Sequence, residues 1–163
     1  MQRSLVLIKP DVVKKGVWLD VIKVYEGHGL TIGQTRIFSP MSKQMARKLY
    51  SEHQGKDFFG ELIEFMTKGQ TIALMIVGQN AVSLVRALNG ATKPNEAEEG
   101  TIRKMFGSQG PANAVHGSAN SVDAERELRL IFHNPQCAEC GYMMDPVGET
   151  CWKCPNCFAT QGS

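Results

Sequence analysis

The sequence predicts an α/β sandwich, with a mostly antiparallel sheet and helices laid on one face. Three observations predict it. Short segments rich in Val, Ile and Leu alternate with segments whose apolar residues recur at helical spacing. Their order along the chain is strand, helix, strand, helices, strand, helix, long loop, short strand, helix. The composition, 42% hydrophobic and 21% charged over 163 residues, is that of an ordinary globular chain long enough for one well-packed domain and a small appendix.

Each element has its own signal. Arg3 to Lys9 is leucine-rich and β-branched and stops at Pro10, which reads as a buried strand. Pro10 and Asp11 suit a first helical turn, where a missing N–H costs nothing and a carboxylate meets the positive helix end. Val17, Trp18, Val21, Ile22 and Tyr25 recur at helical spacing, and Gly29 ends that element. Leu30 to Phe38 reads as a second strand. Ser42 is placed to cap a helix carrying Met45, Ala46, Leu49 and Tyr50 on one face. A polar turn from Glu52 to Asp57 leads to a helix over Phe58 to Met66, and Thr71 to Gly78 is the clearest strand. The next helix, around Ala81 to Gly90, buries Val82, Val85 and Leu88 and carries Arg86 near its far end. From Gly90 to Pro111 the pattern gives way to a long loop, and loops of that length in a compact domain are usually functional. Asn113 to His116 reads as a short strand, followed by a helix from about Ser121 to Phe132 capped by Asn120 or Ser121. The expected topology is ferredoxin-like, βαββαβ with four antiparallel strands, over residues 1–133, with a separate tail at 134–163.

Several function classes are disfavoured. A net charge of +2 gives no bulk attraction for nucleic acid or an anionic membrane, so phosphate chemistry must come from locally placed cations. No apolar run approaches the ~20 residues of a spanning helix. The N-terminal apolar run is too short for a leader, being cut by Lys9 and Pro10, so a soluble cytoplasmic protein without a membrane partner is expected.

The four histidines are not alike. His28, His53 and His133 lie among polar or terminal positions and read as solvated rings, whereas His116 sits between a hydrophobic dipeptide and Gly-Ser, just before a helix. Lys9 ends a buried strand, an odd place for an ammonium unless it meets an anion or a carboxylate. Arg86 and Arg103 each have a threonine nearby, Thr92 and Thr101, while Asn113 and Ser118 flank His116. Each has a plainer reading alone: a strand-to-helix corner, a histidine bonded to the next helix, arginines at helix ends. If they converge, fixed positive charges, hydroxyl donors and an imidazole share one pocket, which is a phosphate site with a nucleophile in it.

Taken together, the segments LVLIKPDVVKKG, LYSEHQGKDFF, VRALNGATKP, GTIRKMF and NAVHGSANS resemble the nucleoside diphosphate kinase family, in its order and spacing, from Ser4 to Phe132. The resemblance implies that His116 takes the γ-phosphoryl group of ATP as a phosphohistidine and passes it to a nucleoside diphosphate, a ping-pong reaction, with Glu127 orienting the ring. It implies that Lys9 and Tyr50 lie near the transferred group, that Ser118 belongs to the site, and that Arg86, Thr92 and Arg103 hold the distal phosphates. Asn113, with Lys9, matches the family's bond to the sugar hydroxyl, and Phe58 and Leu62 match an apolar clamp on the base that does not select among bases. Mg²⁺ held mainly by phosphates and water, and homo-oligomers, tetramers or hexamers built on a common dimer, are implied as well. The chain departs from the family at Lys104-Met105, where Gly-Asp is usual, at Pro111-Ala112, where Gly-Arg is usual, and at Ala119-Asn120, where Asp-Ser is usual. Those departures remove groups that tie the loop down.

All five cysteines fall at or beyond position 137. Cys137-x₂-Cys140 and Cys154-x₂-Cys157 are spaced as knuckles of a structural Zn²⁺ ribbon, with Cys151 the extra thiol. Too few apolar residues surround them for a core, so the metal would supply the folding energy. Such a ribbon is no part of the usual kinase pattern, and its partner, nucleic acid or protein, is not readable. A second reading follows from it: an inactive kinase-fold scaffold whose ribbon binds that partner. The complete set Lys9, Arg86, Arg103, Asn113, His116 and Glu127 weighs against a scaffold, which has no need of cations aimed at one imidazole.

Overall fold

Strand β1, Gln2–Ile8, pairs antiparallel with β3, Thr71–Gly78, along one edge and with β4, Val115–Gly117, along the other. Strand β2, Thr31–Phe38, adds antiparallel to β3, so the sheet order is β2-β3-β1-β4. This is the expected ferredoxin-like order. The computed structural model describes residues 1–132 together with 145–146, 151–153 and 160–162.

The expectation of helices on one face is corrected. Side chains alternate across a strand, yet Leu5, Val6, Leu7 and Ile8 are all fully buried. Leu5 and Leu7 pack with α3 (Lys43–Leu49), α4 (Phe59–Met66) and α7 (Ser121–Phe132), through residues such as Leu49, Met66 and Leu128. Val6 and Ile8 pack with α1 (Pro10–Lys15), α2 (Trp18–Gly27), α5 (Ala81–Asn89) and α6 (Ile102–Phe106), through Val12, Val21, Val85 and Ile102. The unbroken apolar runs of β1 and β3 are the mark of strands covered on both faces. Truncating Leu5 or Leu7 to alanine in such a layer costs about 2–5 kcal/mol.

Helix ends follow the local chemistry. The segment after Pro10 divides at Gly16, whose φ of 74° lets its N–H turn back to Val13 O at 3.0 Å. Ser42 Oγ accepts from Met45 N at 3.2 Å, capping α3 as expected. Of the two candidate caps for α7, Asn120 is the one used, its Oδ1 accepting from Asp123 N at 2.9 Å. The segment read as loop from Gly90 to Pro111 contains α6, too short to show a helical period in sequence.

In the tail, β5 (Asp145–Pro146), β6 (Cys151–Lys153) and β7 (Thr160–Gly162) form a three-stranded antiparallel sheet. Cys137, Cys140, Cys154, Cys157 and His133 lie outside the described residues, as do Asn134 and Pro135. Among the described residues no helix is long and apolar enough to cross a membrane.

Candidate active site

Register places the imidazole. His116 pairs with Leu7, so its side chain shares the sheet face that α7 covers, where Glu127 is 1% exposed. His116 Nε2 lies 3.1 Å from Glu127 Oε1. The other carboxylate oxygen accepts from Ser118 Oγ at 2.6 Å, and that hydroxyl in turn accepts from Leu5 N at 3.1 Å. Burial pushes the Glu127 carboxyl up, but the His116 and Ser118 hydrogen bonds and the charges of His116 and Arg126 outweigh it and hold the group below the usual glutamate value. It is therefore ionised at neutral pH. A carboxylate only accepts, so Nε2 carries a proton, and the tautomer that this bond selects has its lone pair on Nδ1.

The imidazole is flanked by rings. Tyr50, the C-terminal cap of α3, meets it edge-on with centroids 5.4 Å apart, and Tyr50 Oη is buried with no hydrogen-bond partner among the described residues. His53 stacks on Tyr50 at 6.2 Å and meets Phe58 edge-on at 5.3 Å. Phe58 is 48% exposed, unusual for so large an apolar ring, and Lys56 Nζ sits 5.7 Å from its centre. The reading of His53 as a solvated ring is corrected, since it lines the cavity described below. Burial, opposed by Glu52 and assisted by Lys56, holds His53 below the ordinary histidine value.

The cations come from distant segments. Lys9, 5% exposed, donates to Asn113 Oδ1 at 2.7 Å and to Pro111 O at 3.1 Å. Burial first, then the nearby Arg103 charge, bring its ammonium down to about 7, against a smaller opposing effect of Asp11. Asn113 Nδ2 donates to Thr92 O at 2.9 Å, tying the loop after α5 to the segment before β4. Arg103, from α6, donates to Gly90 O at 2.8 Å and Val115 O at 2.9 Å, while its Nε is buried without an acceptor among the described residues. Arg86, from α5, donates to Ala119 O at 3.2 Å. Ala114 holds a φ of 70°, left-handed for a non-glycine, and its N–H is bound by Asp11 Oδ2 at 3.0 Å. That strained turn sets the direction in which the chain enters β4.

These side chains surround a cavity of about 530 Å³. Phe58, Leu62, Arg86, Thr92, Arg103, Asn113 and His116 line it, and Lys9, Tyr50, Ser118 and Glu127 stand behind that lining, each bonded to or in ring contact with a site residue. Thr101 takes no wall position; its hydroxyl donates to Glu98 O at 2.7 Å. Sequence reasoning missed Glu52, His53, Glu61 and Asn89, which also line the cavity. His53 was findable, because Tyr50 and His53 are three apart, a spacing that puts both on one side of a helical turn. The lining joins two guanidinium groups, amides and the His116 imidazole to the apolar side chains of Phe58 and Leu62, a combination that suits a phosphorylated aromatic ligand.

Comparison with known proteins agrees with this chemistry. A family profile described as nucleoside diphosphate kinase matches residues 2–137. The nucleoside diphosphate kinase of Clostridium perfringens is 42% identical over 132 residues, 81% of this chain and 92% of that protein. That of Caldanaerobacter subterraneus is 44% identical over 132 residues, 81% of this chain and 94% of that one. An orthorhombic crystal form of the Aquifex aeolicus nucleoside diphosphate kinase superposes with a TM-score of 0.78 at 31% identity, covering 80% of this chain and 94% of that one. The fold, the cavity and these matches together establish that the chain belongs to the nucleoside diphosphate kinase family of phosphotransferases.

Proposed function

We propose that His116 is the phosphoryl carrier of a ping-pong transfer from ATP to nucleoside diphosphates. The Nδ1 lone pair attacks the γ-phosphorus, the bond to the β,γ-bridging oxygen breaks, and ADP leaves with that electron pair. A β-phosphate oxygen of the incoming diphosphate then attacks the same phosphorus and the N–P bond breaks, returning the neutral ring. One phosphate pocket serves donor and acceptor in turn because the enzyme stores the group between visits. The observation that carries this reading is the Glu127 hydrogen bond to Nε2, which leaves Nδ1 as the nucleophile at a cavity walled by Arg86 and Arg103.

The other roles follow from position. Arg86, Arg103 and Thr92 hold the distal phosphates; Lys9 and the Tyr50 hydroxyl, which has no partner among the described residues, meet the transferred group; Asn113 meets the sugar; Phe58 and Leu62 take the base. Ser118 fixes the Glu127 carboxylate. Arg86, Arg103, Thr92 and Asn113 on the wall would hold a magnesium–nucleotide substrate, and the ion it brings would supply charge neutralisation on the transferring group.

Labelling tests the reading. Protein incubated with ATP labelled at the γ-phosphate acquires acid-labile, alkali-stable label, and His116→Ala acquires none. Absence of label on folded wild-type protein would return the inactive scaffold reading.

Two further features belong to this proposal. The chain forms a homo-oligomer, a tetramer or hexamer built on a dimer; β2, an edge strand with Ile37 57% exposed, is a surface in need of cover, and solution mass measures the outcome. The tail is a zinc ribbon held by Cys137, Cys140, Cys154 and Cys157, a reading supported by the knuckle spacing and by the small antiparallel sheet in which Cys151 occupies a strand.

A further inference from the structure

Asn89 is the last residue of α5 and is 1% exposed, yet it lines the same cavity as His116. Its Oδ1 accepts from Tyr25 Oη at 2.6 Å, a phenol reaching across from α2. Tyr25 is fully buried, and burial pushes its phenol well above the ordinary tyrosine range, so it remains an O–H donor. With Oδ1 accepting from the phenol, the amide nitrogen lies on the opposite side. There Nδ2 stands 2.6 Å from the point where a Cβ on Gly117 would lie, so the amino group fills space left by the residue after the nucleophile.

No protein acceptor takes the Nδ2 hydrogens among the described residues. Buried polar groups are nearly always bonded, and a leucine would fill this position without leaving two N–H groups to satisfy. The cavity that Asn89 lines supplies the acceptor: water while it is empty, and an anion's oxygen once one enters. Arg86 stands three residues earlier on the same helix, and Arg103 is anchored on the carbonyl of the next residue, Gly90. Two guanidinium groups and an oriented amide thus converge beside Gly117.

We infer that Asn89, oriented by Tyr25, donates a hydrogen bond from Nδ2 to a phosphate oxygen of the bound nucleotide. This deepens the nucleotide site proposed above and rests on it. The bond reads phosphate and is indifferent to base and sugar, so a nucleoside without phosphate does not use it. Tyr25 acts as a positioning residue, because without its hydroxyl the amide turns freely and its nitrogen is no longer held toward the cavity.

Calorimetric binding of ADP and of adenosine to wild type, Asn89→Leu, Tyr25→Phe and the double variant tests this. Loss of one hydrogen bond to a charged group predicts that Asn89→Leu weakens ADP binding roughly 10-fold, with adenosine binding unchanged. Tyr25→Phe weakens ADP in the same direction by a smaller factor, and the double variant is no worse than Asn89→Leu. ADP affinity in folded Asn89→Leu equal to wild type would overturn the inference, as would equal losses for ADP and adenosine, since a merely structural residue lowers thermal stability without separating the two ligands. If Asn89→Leu does not fold, Tyr25→Phe decides, and unchanged ADP affinity there counts against the inference. Failure of wild type to bind ADP sinks the nucleotide site itself; ADP bound alike by all four proteins sinks only the role of Asn89.

Discussion

A carboxylate kept both buried and charged must be surrounded by donors, and Glu127 is: His116 on one oxygen and Ser118 on the other. In the proposed transfer its charge would balance the positive charge that gathers on the imidazole as Nδ1 attacks phosphorus. Glu127→Gln keeps the shape and removes the charge, so the expected result is a fall in kcat of roughly 10- to 100-fold with KM for nucleotide little changed. A loss confined to KM would place Glu127 in binding and not in the transfer step. Lys9 gives a prediction in pH. Its ammonium titrates near 7 in the folded chain, against an ordinary value of 10.5, so between those values the unfolded chain binds more protons and this residue's contribution to stability rises with pH. A phosphate beside Lys9 restores the charge. Binding of a non-hydrolysable ATP analogue at pH 8 is therefore expected to be accompanied by uptake of roughly one proton, seen as a dependence of binding enthalpy on the ionisation enthalpy of the buffer; buffer-independent enthalpies would show that Lys9 does not meet the transferred group. His116, Lys9 and the arginines were legible in sequence because each is chemically out of place or matched by a motif. Asn89 and Glu52 were not, because an amide or carboxylate near a helix end is unremarkable until its neighbours in space are known.

The elements matter as carriers of those side chains, and the turns between them are the constrained parts. Gly90 ends α5 at φ 81° and ψ −178°, a conformation open almost only to glycine, and a Cβ there would lie 2.5 Å from Thr101 Oγ1. Its carbonyl also anchors Arg103 at 2.8 Å. Gly90→Ala is expected to destabilise the fold by about 2–3 kcal/mol in urea denaturation and to weaken nucleotide binding through the displaced guanidinium. A change below about half a kcal/mol would mean that the loop relaxes and Arg103 is not held by this turn. Strands and long helices were readable because burial imposes a period on them. Helix α6 was hidden within the loop, since its five residues span little more than a turn. The second helical layer was hidden for a different reason: a strand buried on both faces shows a continuous apolar run, which announces burial without saying what supplies it.

At the scale of the whole molecule, a net charge of +2 hides a strongly polarised interior, in which Arg86 and Arg103 face one cavity with Lys9 bonded to Asn113 of its wall, while most acidic groups are spread over the surface. Convergence of that kind comes from topology: β1 delivers Lys9, α5 and α6 deliver the arginines, and β4 delivers His116, from positions more than a hundred residues apart in sequence at the extremes. The tail stands outside this arrangement. The family match ends at residue 137, and on the proposed reading of the tail a bound zinc would hold its small three-stranded sheet. The zinc reading therefore makes a separable claim. Purified protein should carry one zinc per chain. Cys151→Ser should keep it, because Cys151 lies in a strand paired on both sides, whereas Cys154→Ser, in a knuckle, should lose it. Phosphoryl transfer should persist in both variants and after zinc is chelated and Mg²⁺ restored, because among the described residues the side chains around His116 all come from residues 1–132. Zinc loss in Cys151→Ser would put that thiol among the ligands. Loss of assembly on chelation, with the monomeric domain still folded, would make the ribbon an interface between subunits.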